Sequence, residues 1–362
     1  MEEQESWIAL TRALLPPRKA RALLEAFDSP TAAIAAGDEH LARAGLTDSE
    51  KRRLRHAAAS DLSRDLALME RLGVSLVTIR DFAYPPNLRE IHDPPIALYL
   101  RGQLAPDDRR AIAVVGTRRA SSYGAVVAEA LARDLAVRGI TVVSGMARGS
   151  DSAAHRGALA ARGRTIAVLP CGLDICYPPE NRDLMEQIIA SGAVVSELPF
   201  GTRPARMVFY ARNRIISGMT LGTIVVEAPE RSGALITAAH AAEQGRQVFA
   251  VPGSVNSSLS RGTHGLIKDG AKLVQTVEDV LEEVELPGRA APGPAAREQP
   301  AEPALSDEEK RLLALLTLEQ RHADDLIEET GFAPSQVSSS LLMLELKGLV
   351  RRLPGNMFMR VG

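Results

Sequence analysis

The 362-residue sequence predicts an α/β protein built on a doubly wound parallel sheet. Two observations carry this. Short apolar runs recur between residues 111 and 284, separated by segments of helical periodicity, and alternation of this kind produces parallel strands covered by helices. The first two runs also end in glycine-bearing turns that open helices. Both flanks have a different, mainly helical texture.

Bulk properties set the frame. A chain of this length predicts two or three domains. Hydrophobic residues make up 45% and the net charge is −2, so a nucleic-acid site requires a local basic patch. Cys171 and Cys176 make no disulfide framework and lack nearby partners for a zinc site. The start, MEEQESWIAL, has no basic n-region or apolar signal core, and no apolar run reaches membrane-spanning length. The expectation is a cytoplasmic protein with no cofactor and no metal.

Residues 1–72 are expected to form a small helical domain of sterile-alpha-motif or helix-hairpin-helix type. Trp7, Leu10, Leu14 and Leu15 recur at helical spacing before Pro16-Pro17; Leu23, Leu24 and Phe27 follow, and Ile34, Leu41, Leu46 and Leu54 complete a core. Lys51, Arg52, Arg53 and Arg55, set against Asp48 and Glu50, are expected on solvated faces. Residues 73–285 form the second domain. It opens with a short strand, Val74–Ile79, and a proline-broken connector, Tyr84 to Pro95, that cannot be helical throughout. Leu98–Leu100 leads into the central strands: Ala111–Val115, Thr141–Val143, Thr165–Leu169, Val194–Ser196, Thr223–Val226 and Val248–Val251. Ala125–Val137 and Ala234–Gln244 are among the intervening helices. Residues 286–304, rich in Pro, Ala and Gly, form a linker. Residues 305–362 give three helices, beginning at Ser306, Ala323 and Pro334, and then a hairpin. This is a winged-helix pattern.

In a doubly wound sheet, ligands bind outside the carboxyl ends of the strands. The loop after the first strand carries Thr117, Arg118 and Arg119 just before a helix that Ser121 or Ser122 can cap. The next turn is Ser144-Gly145-Met146-Ala147-Arg148-Gly149. After the fourth strand come Arg206, Phe209, Arg212, Asn213 and Arg214, and after the fifth Glu227 and Arg231. Arginines converging on helix-opening turns make an anion cradle. G-x-G-x-x-G is absent from the first turn and no P-loop motif exists. Phosphates spread along a groove, with Phe209 and Tyr210 for base contact, fit a single strand.

At these residues the chain resembles the DNA-processing protein A family (DprA, also called Smf). The resemblance runs through VGTRRASSYG, SGMARGSDSAAH (Ser144–His155), TIAVLPCGLD, YPPENRDL, ARNRIISG (Ala211–Gly218), VVEAPERSGALITA (Val225–Ala238), GRQVFAVPG and GLIKDGAKLV (Gly265–Val274). With Tyr84-Pro85 and Asp93-Pro94-Pro95 before them, it covers about Tyr84 to Val284 and, more loosely, both flanking domains. It implies a Rossmann-like, non-enzymatic domain that binds single-stranded DNA and helps load the RecA recombinase onto it in natural transformation. The implied strand-binding positions are Thr117, Arg118, Arg119, Ser144, Gly145, Arg148, Gly149, Arg206, Phe209, Arg212, Asn213 and Arg214; Arg206 stands where the family can carry lysine. The resemblance further implies a homodimer formed through Ile267 and Leu273, with RecA on an overlapping surface.

Two other functions compete. A nucleotide phosphoribohydrolase on a related fold would need a glycine run and a catalytic Glu near Arg231–Ala239, and both are missing there, although Asp151, Glu197 and Glu227 lie at the same edge. A duplex-binding transcription factor would need phosphate neutralisation by the winged helix. From Ser306 on, however, seven basic residues face nine acidic ones.

Overall fold

The structure is a computed structural model. It describes residues 2–287, 305–317 and 319–360, so most of the expected linker, residues 288–304, lies outside the described residues. The chain divides into two compact units, residues 1–287 and 288–362.

The first unit opens with six helices: α1 (Glu3–Arg12), α2 (Pro17–Ala26), α3 (Pro30–Ala35), α4 (Asp38–Arg43), α5 (Asp48–Ala59) and α6 (Ser63–Leu72). Local chemistry sets their ends. Pro17 sits at the start of α2, Ser29 caps α3, and Thr47 with Glu50 closes a capping box on α5. Gly73, at φ 61°, ends α6 in the left-handed conformation that glycine tolerates.

Next come β1 (Val74–Thr78), the short α7 (Pro86–Arg89), β2 (Ala97–Gly102), β3 (Ala111–Val115), α8 (Ser122–Val137), β4 (Thr141–Ser144), α9 (Ser150–Ala160), β5 (Thr165–Val168), α10 (Arg182–Ser191), β6 (Ala193–Ser196), α11 (Arg206–Gly218), β7 (Gly222–Val225), α12 (Gly233–Glu243), β8 (Gln247–Ala250), α13 (Arg261–Lys268), β9 (Lys272–Leu273) and α14 (Val277–Leu281). They build one nine-stranded sheet of order β1-β2-β6-β5-β4-β3-β7-β8-β9. Strands β6 to β9 in that order are parallel, whereas β1 and β2 join antiparallel at the β6 edge. The parallel part starts at β3, steps outward through β4 and β5 to β6, then returns to the other side of β3 to lay down β7 and β8. The switch point therefore lies between β3 and β7, where the loops after the two strands part and leave a crevice.

Side chains alternate across the sheet. Ile112, Val114 and Val142 pack under α8 and α9. Ala111, Ala113, Val115 and Ile166 pack on the other face with Ile215 of α11 and Ala238 of α12. Residues 1–72 do not form a separate domain. Trp7, Leu10, Leu23 and Leu54 share one core with Tyr99 of β2, Ala167 of β5 and Val194 of β6. Thr11 and Tyr99 also join their hydroxyls at 2.8 Å. The expected boundary at 72/73 thus falls inside a continuous core, because the apolar faces of these helices are what cover that end of the sheet.

The second unit has α15 (Asp307–Leu315), β10 (Arg321–His322), α16 (Ala323–Thr330), α17 (Pro334–Leu346), β11 (Val350–Leu353) and β12 (Met357–Arg360). The three strands pair in the order β10-β12-β11. Leu312, Leu326, Val337, Leu341 and Phe358 make its core. This is a winged helix.

Candidate nucleic-acid interface

The crevice between β3 and β7 is braced by one carboxylate. Glu227, after β7, accepts from the Ser121 amide at 2.9 Å and the Ser121 hydroxyl at 2.6 Å. The same hydroxyl caps α8 by accepting from the Gly124 amide at 3.0 Å. Gly124 is required here, since a Cβ would lie 2.1 Å from the carboxylate. The Thr117 amide donates to the Glu227 carbonyl at 2.7 Å. Glu227 is therefore a loop-ordering acceptor joining the two turns.

The second glycine turn backs the first. Gly149 has φ 74°, and a Cβ on it would meet the Thr117 carbonyl at 2.4 Å. A Cβ on Gly145 would meet the Arg212 guanidinium at 2.1 Å. Both glycines shape the site from beneath. The Ser144 hydroxyl is buried and donates to the Val114 carbonyl at 2.7 Å. Arg148 pairs with Glu180.

Residues 206–214 lie on the helix α11, not on a loop as expected. Its first turns, residues 206–211, are exposed or half-buried, and one helical face fronts the crevice. Arg206, Phe209, Asn213 and Ile216, spaced three or four apart, line a cavity of about 1130 Å³ together with Thr117, Arg118, Arg119, Tyr210 and Arg212. The Arg118 guanidinium carbon lies 4.3 Å from the Phe209 ring centroid, a cation–π distance, and Tyr177 meets the same ring edge-on.

Arg212 is only 6% exposed. It donates to the Gly145 carbonyl at 2.8 Å and to the Val168 carbonyl. Burial pulls its pKa down to about 10, against the opposing pull of Asp151. Asp151 itself accepts from the Gly145 amide at 3.2 Å and the Ala147 amide at 3.3 Å. Burial pushes its carboxyl up, with Arg212 pulling the other way.

Arg214 does not join the cavity. Two residues on from Arg212 a helix has turned by about 200°. Its Nη2 donates to the two Glu197 oxygens at 2.6 and 2.8 Å, and its Nε lies 3.1 Å from Asp93. The cavity thus gathers Thr117, Arg118, Arg119, Arg206, Phe209, Arg212 and Asn213 from the expected set. Ser144, Gly145, Arg148, Gly149 and Arg214 stand outside its lining.

Sequence reasoning missed the far wall, where His240 and Glu243 of α12 line the cavity and face each other at 3.5 Å. Only the strand order sets α12 against α11, and no local pattern encodes it. Ser232 accepts from the Ala234 amide at 3.3 Å and caps α12, whose N-terminal end lines the same cavity and brings a partial positive charge to it.

Ile267, on α13, is half-buried, and Leu273, on the two-residue edge strand β9, is 40% exposed. Among the described residues no group of three or more His, Cys, Asp or Glu is placed to hold a metal ion, and no helix is long and apolar enough to cross a membrane.

Fold and cleft together define a doubly wound α/β protein with a cationic, aromatic-floored crevice at its switch point, followed by a winged helix. A family described as DNA recombination-mediator protein A matches residues 75–285, and the DprA winged helix domain matches residues 294–356. The chain belongs to the DNA recombination-mediator protein A family.

Among its relatives, Protein Smf of Synechocystis is 37% identical over 316 residues, covering 78% of this chain and 79% of that protein. DNA processing protein DprA of Streptococcus pneumoniae is 46% identical over 208 residues, covering 58% and 73%. The X-ray structure of the S. pneumoniae DNA processing protein A aligns with a TM-score of 0.69 at 37% identity, covering 79% of this chain and 99% of that one. DNA processing protein A of Helicobacter pylori, whose structure is described for its single-stranded DNA binding mode, aligns with a TM-score of 0.52 at 29% identity, covering 59% and 97%.

Proposed function

We propose that this protein binds single-stranded DNA in the crevice between β3 and β7 and helps load the RecA recombinase onto it during natural transformation and recombination. The observation that carries the reading is the Arg118–Phe209 stack in a cavity lined by further arginines. Charged side chains for phosphates beside an aromatic face for bases are what a sequence-tolerant strand binder needs. Thr117, Arg118, Arg119, Arg206, Phe209, Arg212 and Asn213 are the proposed contacts, with Ser144, Gly145, Arg148, Gly149 and Arg214 in supporting places. Titration of labelled single-stranded and duplex oligonucleotides tests the reading; equal affinity for both at every salt concentration overturns it.

The carboxylates at this edge have structural duties, which speaks against the phosphoribohydrolase alternative. Glu227 holds Ser121, Glu197 holds Arg214 and Asp151 holds backbone amides.

The proposed assembly is a homodimer through Ile267 and Leu273, with RecA engaging an overlapping surface. The exposure of Leu273 on an edge strand supports this placement.

A further inference from the structure

The run Lys51-Arg52-Arg53-Leu54-Arg55-His56 on α5 is divided by the structure into two sets. Lys51 pairs with Asp48 at 2.7 Å. Arg55 turns inward, donating to the Ile34 carbonyl at 2.6 Å and pairing with Asp38 at 3.2 Å. Arg52, Arg53 and His56 form no ion pair or hydrogen bond among the described residues. Helical spacing puts them on one stripe with Ser49 and Ser60. That stripe is one wall of a cavity of about 410 Å³, and the end of α1, Arg12 to Leu14, is the other.

No carboxylate lines this bowl. The nearby acids have partners: Glu50 pairs with Lys19 at 2.7 Å and Asp48 with Lys51, both outside the bowl, while buried Asp65 pairs with Arg12 at its edge. Arg12 therefore contributes a neutralised edge; Arg52 lies within reach of the Asp48 charge without pairing to it, and Arg52 and Arg53 both line the bowl with exposed side chains. Leu14, on the rim, has φ 45°, a left-handed conformation that is costly for a side chain of this kind and that clusters at ligand sites. It leaves an apolar side chain 49% exposed beside the guanidinium groups.

We propose that the bowl formed by Arg12, Arg52, Arg53, His56 and the Ser49 hydroxyl is a second binding site for phosphate esters, separate from the crevice at the sheet edge; the Ser60 hydroxyl on its rim is committed to the Ala57 carbonyl at 2.7 Å. Paired guanidinium groups with a flanking hydroxyl match phosphate oxygens, and the volume admits a phosphate with its sugar. The phosphate belongs either to a strand that continues beyond the crevice or to a free nucleotide. The choice of the strand rests on the proposed function; the site does not.

The test uses the full chain carrying R52E/R53E, with R52Q/R53Q as a milder version, beside Arg118→Ala. Both arginines are exposed, so melting temperatures should match the parent. The probes are a short oligothymidylate that fits the crevice alone, a long one, and AMP. The strand form predicts at least about tenfold weaker binding of the long oligonucleotide, a salt slope lower by about 1.4 for two lost contacts, and unchanged binding of the short one. Loss of AMP binding with long-strand binding intact also supports the site and assigns it to free nucleotides. If neither long-strand nor AMP binding changes in either double variant, the site does not exist. Should Arg118→Ala bind the short oligonucleotide normally, the crevice reading fails and the bowl stands.

Discussion

Arg118 and Phe209 meet with guanidinium carbon and ring centroid 4.3 Å apart, and this one contact joins the turn after β3 to the exposed start of α11. Arg118 is otherwise free to face the cavity. Arg212, 5.9 Å from the centroid of the same ring, is fixed by carbonyls. The two cations therefore respond differently to removal. Arg118→Ala should weaken single-strand binding by about 1–3 kcal/mol, flatten the salt slope by less than one unit and leave the melting temperature unchanged. Arg212→Ala should lose binding and also stability, by about 1–3 kcal/mol, because the buried Gly145 and Val168 carbonyls lose their charged donor. Binding isotherms across salt, paired with thermal melts, separate the two; an Arg212→Ala protein as stable as the parent contradicts the burial argument.

Arg214 is the tether of α11. Burial raises the Glu197 carboxyl above its ordinary 4.5, while Arg214 pulls it down. The folded state therefore gives up this proton at higher pH than the unfolded chain does, and stability falls as pH rises above 4.5. Arg214→Met removes the opposing pull and raises the carboxyl further. The variant's deficit relative to the parent should grow as pH rises above 4.5, toward about 3–5 kcal/mol once the carboxyl is ionised. Denaturant melts across that pH range check this, and a gap independent of pH counts against it.

Gly124→Ala should destabilise the protein by about 1–3 kcal/mol, since its methyl runs into the Glu227 carboxylate. Gly233→Ala is the matched control: it opens α12, has nothing within 4 Å of an added Cβ, and should be neutral or stabilising by about 0.4–1 kcal/mol. Urea midpoints compare the pair directly.

A chain ending at Pro287 should fold and keep most single-strand affinity, because every proposed crevice contact lies before that point. A chain beginning at Arg80 should not. It loses β1, which pairs with β2 from Val74 to Thr78, and it strips the helices that cover Tyr99, Ala167 and Val194. Near-ultraviolet circular dichroism and dye binding would report the loss of packing, and a native-like spectrum from that fragment would show the core to be divisible.

Ile267→Arg combined with Leu273→Arg should yield a folded monomer by light scattering. A folded variant that remains dimeric places the contact elsewhere.

The central strands were legible because each is a short apolar run between turn residues; Ala111–Val115 is strand β3 residue for residue. The winged helix was legible for the same local reasons, from the Ser306 cap to the Pro354-Gly355-Asn356 turn. Pairing was not. Nothing near Val74 or Ala97 says that they extend the same sheet antiparallel, since periodicity reports a face and not a neighbour. The burial of Arg214 was equally hidden, because Glu197 and Asp93 are remote in sequence and a charge reads as exposed until its partner is known. The helical segment misled in a related way: its apolar spacing announced a core without saying that the sheet would share it.

Arg212 stands ready before any ligand arrives. Its side chain is already immobilised by the Gly145 and Val168 carbonyls, so a phosphate arriving beside it meets a charge with no rotamers left to freeze. Exposed Arg206 must surrender that freedom, at about 1.5–2 kcal/mol for a long cationic side chain. The crevice therefore has a pre-organised half and an adaptable half. In the proposed strand binding, the first half sets where a phosphate rests, while the second adapts to the local shape of the strand.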